Sequence, residues 1–197
     1  MPSLILPLLL FAISTTATPG PNNVMVTASG ANFGFRRTIP HMLGITFGFP
    51  AMIVAIGWGL GPIFEGAPIV HQALKYVGAA YLLFLAWKIG TAGRSDDADG
   101  SGSPLTFLQA ALFQWVNPKA WIIAVGAVTT FTTVGGNPFF ETLVIAAAFA
   151  LVTFPCIAAW TLFGMAIRRL LRSERALKAF NIAMALLLAA SLLPVFL

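Results

Sequence analysis

A chain of 197 residues, 58% of them hydrophobic and only 9% charged, cannot coat a water-soluble surface, because soluble domains carry about 25% charged residues. Its net charge of +5 would suggest nucleic acid in a soluble protein. Here the basic residues fall in short connections between apolar runs, where membrane topology accounts for them and no nucleic-acid partner is expected.

A membrane-crossing helix needs about 20 largely apolar residues, so six such helices with their connections fill the chain as a single domain, 1–197. Met1 to Ala17 resembles a secretory signal but lacks a basic start, and it is read as the beginning of span one. Span one runs from about Ser3 to Val26 and contains Thr18-Pro19-Gly20-Pro21-Asn22-Asn23. Span two runs from about Thr38 to Gly61, and span three from about Val70 to Thr91. A loop rich in Asp, Gly and Ser occupies 93–104 and separates two half-repeats, about 1–92 and 105–197. Span four, about Leu105 to Thr133, is interrupted by Asn117-Pro118-Lys119. Span five covers about Phe139 to Ile167 and span six about Ala176 to Leu193.

Helices follow from the solvent. Backbone groups in hydrocarbon must be satisfied within the segment or in a closed barrel, and barrel strands alternate apolar and polar residues, which these runs do not. The connections after spans one, three and five hold Arg36 and Arg37, Lys88 and Arg94, and Arg168, Arg169, Arg172, Arg175 and Lys178. Those after spans two and four hold none, although Lys75 sits just inside span three. The basic connections therefore mark the cytoplasmic face, with both termini outside. Pro19 and Pro118 are 99 positions apart and each breaks an apolar span after a polar residue. With three spans per half the halves must be inverted, and a matched pair of broken spans points to a transporter's central site.

The break at Pro19, Gly20 and Pro21 frees carbonyls, because proline lacks a donor and clashes one turn back. Such rupture is tolerated at membrane depth only where protein or a water-filled cavity supplies partners. Asn22 and Asn23 bring amides to the same place. The alternative is a simple kink whose amides bridge helices. Lys119, beside the break at Pro118, costs roughly 2.5–3.5 kcal/mol at a span centre and so points to a function; otherwise it snorkels from a helix end. His41 is expected at the interface beside the basic connection, Tyr81, Trp87 and Lys88 in an interfacial belt, and Gly44 and Gly48 at a close helix contact. The Arg cluster at 168–175 sets topology first and contacts lipid headgroups second. Lone Cys156 has no internal disulfide partner and reads as a small core residue.

Absences narrow the chemistry. No carboxylate lies in a span core, since Glu65 and Glu141 sit at ends, and no metal site is expected from two distant histidines and one cysteine. Thr27-Ala28-Ser29-Gly30 has part of an intramembrane serine-protease motif without its first glycine or a late histidine partner. The sequence shows no phosphate-binding loop, so no cofactor is expected and transport would be gradient-driven.

Four stretches resemble the lysine-exporter (LysE/RhtB) family of amino-acid exporters. They are Thr18 to Asn23; Gly34-Phe35-Arg36 with Gly44 and Gly48; Gly78-Ala79-Ala80-Tyr81-Leu82 running to Trp87-Lys88; and Asn117-Pro118-Lys119-Ala120. Ala110 stands where the family has a glycine near the start of span four, and Pro40-His41 also departs from its pattern. The resemblance implies a secondary exporter in the bacterial inner membrane, moving small amino acids or derivatives outward, with a proton as the suspected coupling ion. It leans toward the cysteine and O-acetylserine branch. On this reading Asn22, Asn23 and the carbonyls freed by Pro19 and Pro21 would take a substrate ammonium, Lys119 and Asn117 its carboxylate, with Thr18 at the same site. Exporters of another solute or a metal cation, an intramembrane enzyme and a non-transporting subunit are the rivals. The oligomeric state is left open, a homodimer being one arrangement.

Overall fold

Backbone that faces lipid has to pair within its own segment, and the long elements are all helices. The computed structural model describes residues 4–60, 68–92, 103–133, 135–171 and 173–196, with no strand among them. In chain order the helices are α1 (Ile5–Ala17), α2 (Pro21–Ala55, continued by a π turn at Ile56–Leu60), α3 (Pro68–Gly90) and α4 (Phe107–Phe113, followed by a 3₁₀ turn at Gln114–Val116). Then come α5 (Pro118–Phe131), α6 (Pro138–Leu170), α7 (Glu174–Ala190) and a final turn, α8 (Leu193–Phe196). Glu65, Arg94, the Asp-containing part of the 93–104 loop and Arg172 lie outside the described residues.

Sequence-local signals set most helix starts. Thr106 and Gln109 form a reciprocal capping box on α4. Asn117, Asn137 and Ser173 cap α5, α6 and α7, the first two with proline at the next position. Between the expected spans one and two the helix runs on to Phe33 and resumes at Phe35. Gly34, at φ 78° and ψ 173°, is the only non-helical residue inside α2, and positive φ is where glycine is favoured.

Among the described residues, three stretches are long and apolar enough to cross a bilayer: Pro21–Gly59, Gln72–Gly90 and Pro138–Leu170. The segments Ile5–Ala17, Phe107–Val116 and Pro118–Phe131 are shorter and apolar. The exterior is apolar as well as the core, and several polar side chains are buried. Leu6, Ile69, Ile122, Leu151 and Leu170 are exposed, while Asn23, Thr38, Gln114, Asn117 and Asn181 are buried. An apolar exterior of this extent is stable against lipid. The chain is a multi-pass membrane protein.

Helix α6 lies along α1 and α2. Phe149 anchors the largest apolar cluster, edge-on to Phe49 at 5.2 Å and to Phe11 at 6.3 Å. A second cluster joins Met25 of α2 to Leu82 and Leu85 of α3, Phe113 of α4 and Leu188 of α7. Gly44 and Gly48 pack directly on α4, as the Gly-x-x-x-Gly spacing predicts. A methyl group built on Gly44 would sit 2.3 Å from the Phe107 carbonyl oxygen, and one on Gly48 2.5 Å from the Ala111 Cα.

His41 corrects the expectation of an interfacial residue. Because α2 resumes at Phe35, His41 is more than one turn into the helix, on the buried face it shares with Thr38, Met42 and Ile45. It is 1% exposed, and neither ring nitrogen has a partner among the described residues. At the end of the bundle near Gly34, Asn32 and Asn181 exchange amide hydrogen bonds of 2.7 and 3.0 Å, and Asn181 also donates to the Ala92 carbonyl. Near the opposite end, Lys75 of α3 lies over the Phe196 ring at 4.5 Å.

Gly44→Val drives a branched side chain into a backbone carbonyl that cannot move aside, and should destabilise the fold by about 1–3 kcal/mol. In contrast, a methyl on Gly126 of α5 meets nothing within 4 Å, so Gly126→Ala should hold or raise stability through helix propensity. The unfolding temperature of the purified protein in detergent should fall for Gly44→Val and hold or rise for Gly126→Ala.

Candidate functional site

Both predicted ruptures are present. Helix α1 stops at Ala17, Thr18 and Gly20 are extended, and Pro21 takes the first position of α2, where its missing N–H costs nothing. In the second rupture Asn117 is extended between the 3₁₀ turn and α5, which opens on Pro118.

Helix ends leave carbonyls without intrahelical partners, and those of Ser14, Thr16, Ala17, Thr18 and Pro19 find donors here. Ser14 O accepts from the Thr18 backbone N–H and from its hydroxyl. The Asn23 amide donates to Thr16 O at 2.8 Å and Thr18 O at 2.9 Å, and the Trp160 indole to Ala17 O at 3.2 Å. Lys119 closes the set. Its Nζ donates to Thr18 O at 2.6 Å and to Pro19 O at 3.3 Å, reaching from the second rupture to the first.

Asn22 pairs reciprocally with Gln114 of the second rupture, at 2.9 and 3.2 Å, and Gln114 also donates to Ala110 O. Asn117 is buried and accepts from the Lys119 backbone N–H. No side chain among the described residues caps the start of α2. Its N-terminal dipole therefore points into the site with first-turn donors at Asn22 and Asn23.

These groups line a cavity of about 40 Å³, room for roughly three or four waters at about 10–15 Å³ each. Asn22, Asn23, Gln114, Asn117 and Lys119 line it, with Thr15, Thr16 and Thr153; Ile45, Phe49, Ile123 and Ile157 form the apolar wall. Of the residues expected at the site, Asn22, Asn23, Asn117, Lys119, Gly20 and Pro21 line the cavity. Thr18 and Pro19 are not among the lining residues; their carbonyls accept from Lys119, and the Thr18 hydroxyl turns back to its own helix.

Two residues were not anticipated. Gln114 reads in sequence as a polar residue near a helix end, yet it is fully buried. Thr153 reads as an ordinary helix hydroxyl. Its neighbours on α6, Thr142 and Thr161, bond back to the carbonyl four residues earlier. Thr153 does not: its Oγ1 is buried beside the cavity without a partner among the described residues.

A methyl on Gly20 would lie 2.7 Å from Lys119 Cδ and 3.1 Å from its Nζ. The Gly20 backbone, at φ −175°, accepts any residue. Gly20→Ala should therefore push the Lys119 ammonium off the carbonyls without removing its charge. Mass spectrometry should find Lys119 modified several-fold faster by an amine-directed acylating reagent in this variant; an unchanged rate would deny that Gly20 leaves room for the ammonium.

The LysE type translocator family matches residues 13–193. The cysteine/O-acetylserine efflux proteins of Escherichia coli K12 and of Shigella flexneri serotype 5b are each 30% identical over 190 residues, covering 94% of this chain and 94% of theirs. No solved structure matches. With two helix ruptures joined by one lysine at its centre, this chain belongs to the LysE family of translocators.

Proposed function

We propose that the protein is a gradient-driven exporter of small amino acids or their derivatives, with cysteine and O-acetylserine the first candidates. The substrates named for its relatives support that choice. The observation that carries the site is the Lys119 ammonium on the Thr18 and Pro19 carbonyls, beside a cavity lined by the amides of Asn22, Asn23, Gln114 and Asn117. A zwitterion needs acceptors at one end and donors at the other. The carbonyls at the end of α1 are acceptors, and Lys119, the start of α2 and the amides are donors. Thr153 adds a buried hydroxyl free to meet the substrate.

The architecture we assign is six spans in two inverted sets of three: 5–33 ruptured at 18–20, 35–60, 68–90, 107–131 ruptured at 117, 138–170 and 174–190. The amide contacts joining Asn32, Ala92 and Asn181 at one end, with Lys75 against Phe196 near the other, support it. Arg36, Arg37, Lys88, Arg168, Arg169, Arg175 and Lys178 are all near chain positions of the first end, which we take as cytoplasmic, leaving both termini outside. The expected coupling ion is a proton and the expected location a bacterial inner membrane.

Lys119→Ala should abolish efflux of radiolabelled cysteine or O-acetylserine from overproducing cells while the protein still inserts in the membrane. Undiminished efflux would remove Lys119 from the site. Thr153→Val keeps the shape and drops the hydroxyl; slower efflux with normal membrane content is expected, and Thr153→Ser should recover it.

A further inference from the structure

The acceptor end of the site is already full, and by a group of the same chemistry as the substrate's own. Lys119 carries a primary ammonium on a flexible stem. It lies on the two carbonyls that a substrate ammonium would need, beside the cavity that Lys119 also lines. We propose that Thr18 O and Pro19 O form an ammonium subsite which Lys119 occupies in the empty transporter, and which it yields to the substrate's ammonium while turning to the substrate's carboxylate.

The inference rests on the exporter reading for its substrate, but the subsite stands on geometry alone. A charged donor bonds carbonyls more strongly than a neutral one, so another ammonium replaces Lys119 in kind where water or a neutral amide replaces it less well. A zwitterion does both parts of the exchange: its ammonium satisfies Thr18 and Pro19, and its carboxylate receives the displaced Lys119. Pocket charge changes by nothing across the swap, because the incoming molecule is neutral overall. An amine without a carboxylate completes only half, expelling Lys119 into a site with no anion to meet it. Selectivity for amino acids over simple amines thus follows from the plug.

The surroundings of Lys119 leave its stem a path. The stem runs past Gly20, where any larger residue would collide with it. The Asn23 amide, bonded to Thr16 O and Thr18 O, holds the broken strand in place whichever ammonium is present. The Thr153 hydroxyl and the uncapped start of α2 offer further donors to an arriving carboxylate.

The test compares L-cysteine with cysteamine, the same molecule lacking its carboxylate, both kept reduced. Binding is measured by calorimetry on the full protein in lipid nanodiscs. The variants are Lys119→Met, which keeps the stem and drops the ammonium, and Lys119→Ala as a second background should Met fold poorly. The expected result is a sign inversion. Cysteamine should bind the variants at least several-fold more tightly than the unmodified protein, because the subsite is vacant, whereas L-cysteine should bind them more weakly or no better. Melting temperature supplies a readout independent of amino acids: millimolar methylammonium should raise it for the variants and leave the unmodified protein unmoved.

Weaker or unchanged cysteamine binding in both variants, with no methylammonium stabilisation, would overturn the subsite. Tighter binding of both ligands would keep the subsite and overturn the carboxylate partnership of Lys119. If L-cysteine and O-acetyl-L-serine bind no form of the protein while cysteamine and methylammonium behave as described, the exporter reading fails in its substrate and the ammonium subsite stands.

Discussion

One ammonium bonded to two backbone carbonyls holds two broken helices together. Each rupture leaves backbone carbonyls without partners in their own helix. The two ruptures face each other, so that Lys119 on one supplies what Thr18 and Pro19 on the other lack. A charged donor suits the position, because its bonds to carbonyls are stronger than those of a neutral amide.

Around that contact the polar groups are paired with few exceptions, and the exceptions differ in place. Asn22 with Gln114 and Asn32 with Asn181 are reciprocal amide pairs that join distant parts of the chain. His41 and Thr153 hold unpaired buried atoms. Thr153 borders the cavity, and the imidazole is not among its lining residues. A buried hydroxyl left without a partner is destabilising, and beside an amide-rich cavity that deficit turns into affinity for whatever enters.

What was legible in the sequence was local. Pro21 and Pro118 open helices at the first position, where a missing donor costs nothing, whereas Pro40, Pro50 and Pro155 lie inside helices; Gly44 with Gly48 announces a close contact by spacing alone. The pairing of ruptures was less legible, because nothing near Lys119 in sequence says that its stem will reach a carbonyl 101 positions away. Gln114 and Thr153 were invisible for a related reason: their roles depend on which neighbour faces them. His41 was misplaced because its environment depends on where α2 resumes. That point is set by a single glycine rather than by the proline nearby.

That glycine also fixes the length of the chain at its turn. Gly34 is the whole of the non-helical connection inside α2, so there is no slack in which to absorb an insertion. One added residue would rotate the following helix by about 100°, given 3.6 residues per turn. Gly44 and Gly48 would then face lipid, and a larger side of the helix would meet α4. Substitution can be tolerated on much of this surface, but the spacing between the first ruptured helix and the glycine seam is a fixed frame.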